Sequence, residues 1–134
     1  MKINPELVEK IEKDLSIFGL AVCALNIVRY IAGRTVKSEF YISLSDFLKE
    51  IPNCSSSETE QVINYLATTT PPTLTRTYCF VDEESVFHEL GDDALILFQE
   101  SNKLYHPSSG KLVEEESLNI FLLYKTSIDK VLVQ

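Results

Sequence analysis

The sequence predicts an α+β fold in a single domain, with a helical half over residues 1–70 followed by a small antiparallel β-sheet half over residues 74–134. Three observations carry this expectation. Apolar residues recur at helical spacing through the first half, and the period changes to that of strands after the double proline Pro71–Pro72. A length of 134 residues with 45% apolar composition fits one domain with a sizeable core.

Asn4 is a good N-cap, with Pro5 at the first helical position and Glu6 beside the positive end of the helix dipole. Leu7, Val8, Ile11, Leu15 and Phe18 form one stripe, and Gly19 marks a break. The next helix, Leu20–Ala32, is apolar nearly all round and is expected to be surrounded by other elements, with Gly33 as its C-terminal cap. "EFYISLS" reads as a short strand. Ser43 or Ser45 then caps a helix carrying Leu44, Phe47, Leu48 and Ile51, which Pro52 and Asn53 end. "SSSETE" offers two capping boxes, Ser55 with Glu58 and Ser57 with Glu60, before a helix that buries Val62, Ile63 and Leu66. "TTTPPT" stops that helix, because the prolines remove donors and force extended backbone.

In the second half "LTRTYCFV" and "ALILFQ" read as strands. Between them "DEESVFHELGDD" fits either a short helix or a strand with turns. Leu104–His106 and Lys111–Val113 are expected to form a hairpin around the "PSSG" turn. "LNIFLLY" is nearly all apolar and therefore reads as a central strand covered on both faces. Residues 127–134 fit a short helix or an edge strand. The expected core includes Leu25, Ile27, Val28, Ile63, Leu66, Ile96, Phe98, Ile120 and Leu122.

Twelve basic against twenty acidic residues give a formal charge of −8, which repels nucleic acid and anionic membranes. The charge is uneven: residues 1–81 carry nine acids and eight bases, residues 82–134 eleven acids and four bases. Three cysteines without a CxxC pair, and a start with no secretory pattern, predict a cytoplasmic protein with free thiols. The longest apolar stretch, Leu20–Ala32, is shorter than the roughly 20 residues a membrane helix needs.

Helix, short strand, helix, helix and then antiparallel strands is the order of a winged helix. Over roughly residues 20–100, with the capped helix after "SLSDFLKEI", the chain resembles the winged-helix (helix-turn-helix) superfamily in element order. The resemblance implies a recognition helix at Glu58–Ala67 and a wing over Leu74–Gln99; the strands of Leu104–Tyr124 exceed a minimal winged helix. A DNA-reading helix anchors itself through Arg, Lys and amide groups. Ser55–Leu66 carries Glu58 and Glu60 and no Lys or Arg. The basic residues Arg29, Arg34 and Lys37 are sparse and precede the motif, and Gln61 and Asn64 cannot anchor a helix alone. Nucleic acid is therefore not the expected partner.

No residue set announces catalysis, and the chain is expected not to be an enzyme. Cys79, His88 and His106 lack the two-to-four-residue spacing of structural zinc ligands, so no metal and no cofactor are expected. Cys79 reads as a small core residue, His88 and His106 as surface or cap groups, and Cys54 as a helix-start thiol. The four glycines form no phosphate loop. What remains is a small acidic adaptor subunit that binds a protein partner as a homodimer or as a hetero-complex with a larger subunit. The acidic residues Asp92, Asp93, Glu114, Glu115 and Glu116 are expected at the rim of that interface. A nucleic-acid-binding transcriptional regulator acting as a dimer, and a small acidic secretion-type chaperone, are the alternatives.

Overall fold

Asn4 opens the first helix as its position predicts. A two-residue strand, β1 (Lys2–Ile3), leads to it; Asn4 Oδ1 then accepts the Glu6 N–H at 3.0 Å, and α1 runs over Pro5–Leu15. The computed structural model describes residues 2–51, 53–126 and 128–134. Pro52, expected to help end the third helix, and Ser127, expected to open the last segment, lie outside the described residues. These residues fold as α+β and divide into two compact units, one reaching to Arg76 and joined by Tyr124–Gln134, the other Thr77–Leu123. Residues 124–134, expected in the β-rich half, thus belong with the helices.

In the first unit Ile11 and Leu15 of α1 are buried. Phe18, expected on the same stripe, is exposed. A 3-10 turn, Ser16–Phe18, tightens the chain and Gly19 adopts a left-handed φ of 71°, which turns the stripe away from the core after Leu15. The second helix, α2 (Ala21–Val36), runs through Gly33 instead of ending there; the left-handed residue is Ser38. Cys23, Ala24, Ile27, Val28, Ile31, Ala32 and Thr35 form its buried face. Val22 is exposed and Leu25 half-buried, so one side of this helix is open rather than covered. A short strand, β2 (Tyr41–Ser43), precedes α3 (Leu44–Glu50), whose first turn is capped by Ser43 Oγ on the Asp46 N–H. The fourth helix, α4 (Ser56–Thr68), starts with the Ser55–Glu58 capping box, in which each residue's side chain takes the other's backbone N–H.

Three ties fasten these helices. Tyr65 donates to Asp14 Oδ2 at 2.7 Å, joining α4 to α1. Arg34 pairs with Glu39 at 2.8 Å and donates to Tyr30 Oη at 2.8 Å and to the Tyr41 carbonyl at 3.0 Å. Cys23 and Cys54 form a disulfide across 31 positions with Cα atoms 5.5 Å apart, which overturns the expectation of free thiols; Cys79 takes no part in a disulfide and is buried. The α2 face that looks into the core carries Cys23 to the connection between α3 and α4, a juxtaposition that sequence spacing does not encode.

The second unit is built on the antiparallel hairpin of β3 (Thr75–Val81) and β4 (Phe87–Glu89), with Phe80 opposite His88 and Val81 opposite Phe87. The segment left open between helix and strand is thus a turn and then a strand. "ALILFQ" is not a strand. It lies in α5 (Asp92–Ser101), with Gly91 as N-cap, Asp92 and Asp93 in the first turn and left-handed Asn102 at its end. A short apolar run suits either period; here Ala94, Leu95 and Phe98, at helical spacing, pack on Phe80, Leu90 and Leu104, and Ile96 is left 50% exposed. The expected hairpin is present as a bridge between Tyr105 and Leu112, closed by Gly110 at φ 72°. A 3-10 turn, Glu115–Ser117, leads to β5 (Ile120–Lys125). Ile120 and Phe98 are half-buried, and Phe121 and Leu122 are exposed, so the strand is not covered on both faces.

Tyr124 and Lys125 bring the chain back to the first unit, where the Thr126 N–H donates to the Phe40 carbonyl at 3.0 Å. The last residues form both structures expected as alternatives, α6 (Ile128–Val131) and β6 (Leu132–Val133). β6 pairs with β1, Ile3 opposite Leu132. Phe47 lies at the middle of the core, edge-on to Tyr30 at 5.8 Å and to Tyr124 at 6.0 Å, among Ile27, Ile31, Ile63 and Leu66. Among the described residues no helix is long and apolar enough to cross a membrane.

Candidate functional site

The hairpin register sets His88 opposite Phe80, and Asp82 follows directly after the last strand residue, Val81. The turn after β3 is fixed by Asp82 itself, whose Oδ1 accepts the N–H groups of Glu84 at 2.9 Å and Val86 at 3.0 Å. Its other oxygen is thereby aimed at two rings. Asp82 Oδ2 lies 2.8 Å from His88 Nε2 and 3.3 Å from His106 Nε2, and the rings are 4.7 Å apart. Phe80 forms the floor, stacked on His88 at 6.0 Å and edge-on to His106 at 5.6 Å. All three polar side chains are at least three-quarters buried, Asp82 to 13% exposure.

The second histidine arrives from the turn closed by Gly110. Its Nδ1 accepts the Ser108 N–H at 3.1 Å and the Ser109 N–H at 3.3 Å, so in the neutral ring the proton sits on Nε2 and faces Asp82. Hydrogen bonds from His88 and then from the Val86 and Glu84 amides and His106 hold the Asp82 carboxyl far below the usual carboxylate range. Asp82 is thus a fixed anion accepting four hydrogen bonds, two from backbone and two from imidazole.

A cavity of about 650 Å³ opens on this trio, and Glu83, Glu84, Lys111, Glu114 and Ser117 also line it. Four carboxylates against one lysine make it attractive to cations. Glu116 hydrogen-bonds the Glu114 carboxyl and, with its charge, holds it above its ordinary range. Of the five acidic residues expected at an interface, only Glu114 reaches the cavity; Glu115 and Glu116 lie in the adjoining 3-10 turn, and Asp92 and Asp93 are exposed at the start of α5, complementing its dipole.

His88 and His106 were expected as separate surface or cap groups, and the fold brings them together with Asp82, which sequence reasoning did not single out. The i, i+2 spacing of Phe80 near the end of β3 and Asp82 just beyond it is the signal that points to it. Cys79 alternates with Phe80 on the strand and is buried; Cys54 is held in the disulfide. Of the sparse bases, Arg29 bonds Asn26 at 3.0 Å and Arg34 is engaged as described.

A second feature stands out in the first unit. Where α1 gives way to α2, Ile17, Phe18 and Val22 are exposed at 85%, 71% and 69%. Comparison with protein families, with curated proteins and with solved structures gives no match for this chain.

Proposed function

We propose that this chain is a small protein-interaction subunit, in which a winged-helix-like helical unit presents an apolar corner to a protein partner. The exposed trio Ile17, Phe18 and Val22 carries the reading: three large apolar side chains gathered at one turn are a contact surface rather than scattered exposure. The order α2, β2, α3, α4, β3, β4 supports the winged-helix comparison, although Gln99, expected in the wing, lies in α5. A protein partner is favoured over nucleic acid because α4 has no Lys or Arg, and the nearby Arg76 is bonded to Asn64 at 2.8 Å. The subunit acts by binding, as a homodimer or with a larger protein.

Light scattering and co-purification from the host test this. The native chain should run as a dimer or capture a stoichiometric protein, and Phe18→Asp, at an exposed position, should abolish the association without lowering Tm. A monomer that captures nothing, or association unaffected by Phe18→Asp, overturns the reading. The same preparation addresses the compartment. Reduced Cys23 and Cys54 in protein drawn from its host support a cytoplasmic setting, and an intact disulfide supports an oxidising one.

A further inference from the structure

We propose that Asp82, His88 and His106 form a binding site for a divalent first-row transition metal ion, independent of the apolar corner. One donor atom from each of the three residues lies within 4.8 Å of the other two, and both Nε2 atoms are within 3.3 Å of Asp82 Oδ2. With metal–donor bonds of about 2.0–2.2 Å, tetrahedral donors stand about 3.3 Å apart. The Asp82–His106 distance of 3.3 Å already meets this, and the Asp82–His88 distance of 2.8 Å need only open slightly as an ion replaces the shared proton. Two imidazole nitrogens and one carboxylate oxygen suit zinc and its neighbours better than magnesium or calcium, which prefer all-oxygen shells.

The surroundings point the same way. The Asp82 carboxylate is ionised and its other oxygen is tied to two amides, so the donor is oriented before any ion arrives. Phe80 closes the site beneath the rings, and Glu83, Glu84 and Glu114 surround the cavity with negative charge. Three protein donors leave a further coordination position, and all three residues line that cavity. A proton must also move. His106 Nε2 carries its proton toward Asp82, so ligation moves that proton to Nδ1, where the Ser108 and Ser109 amides now point. Metal binding therefore releases those two amides and rearranges the turn that Gly110 closes.

The test is equilibrium dialysis of the tag-free full chain against zinc chloride, with NMR of the same protein. One zinc per chain is expected, and His88→Gln and His106→Gln should each weaken binding at least about tenfold. The chain has only two histidines, so both imidazole signals report on the site. In the unmutated protein both should shift with zinc, together with the Ser108 and Ser109 amides, a readout that does not depend on either variant folding. No retained zinc, or retention that leaves both ring signals unmoved, overturns the proposal.

Discussion

In the first unit Ile11, Ile27, Ile31, Phe47, Ile63 and Leu66 are buried in one cluster, whereas the corresponding cluster of the second unit is Phe80, Leu90 and Leu104. The second unit makes up part of the difference with polar contacts: Asp82 holds its own turn through two amides and reaches the next hairpin through His106. One unit combines a large packed core with a disulfide and a few side-chain ties, while the other relies more on directional bonds around a carboxylate. The comparison teaches where a site can form. A ligand cavity with polar walls is compatible with a small apolar cluster; in the larger core the same groups would have to be buried without water.

Phe47→Ala should have the largest effect, because the ring is fully buried and contacts two further rings. A loss of about 3–5 kcal/mol is expected in chemical denaturation, with protection of α2 amides falling throughout. An effect below 1 kcal/mol would break the claim that packing dominates the first unit. Leu104→Ala should cost less, about 2 kcal/mol, because so small a cluster can close around the gap. Hydrogen exchange should speed up in β4 and in the hairpin of residues 105–112 while α2 stays protected. Equal loss of protection in both units would show that they do not open separately.

The smallest effect is expected at Tyr65. Removing its hydroxyl in Tyr65→Phe deletes one partly buried hydrogen bond to Asp14, about 1 kcal/mol. Burial, and then the bond to Asp14, raise the phenol well above its ordinary pKa. The folded protein therefore keeps a proton that the unfolded chain loses near pH 10. The contribution of Tyr65 is complete below about pH 10 and is lost as pH rises through the folded value. Denaturation midpoints of the native chain and Tyr65→Phe should therefore converge in strong alkali. Midpoints that stay parallel would remove the tie between α4 and α1.

The helical unit was the more legible in sequence, because its signals are local. Asn4 and Ser55 cap helices through bonds to residues two and three positions away, and the spacing of Val62, Ile63 and Leu66 declares its own face. Gly33 shows the limit, since a glycine near a helix end is read as a stop, yet α2 continues past it to Val36 with Thr35 buried. In the second unit "ALILFQ" is too short for its apolar pattern to separate helix from strand, and Asn102 as a left-handed stop decides it. The site was illegible for a different reason. His88 and His106 meet only because two hairpins converge on Asp82, and a search for closely spaced ligands passes over donors that folding assembles. The Cys23–Cys54 bond escaped the same way.

The pairing of β1 with β6 has a consequence for biosynthesis. Val133 and Leu132 are added about 130 positions after their partners Lys2 and Ile3. At the 5–20 residues per second of translation the delay is about 6–26 seconds, long compared with the folding time of a small domain. All of Thr77–Leu123 is made in that interval and can fold as an insertion. The first unit is thus completed only after Thr77–Leu123 has been made, and until then its nascent helices expose the surface that Tyr124, Val131 and Leu132 will cover.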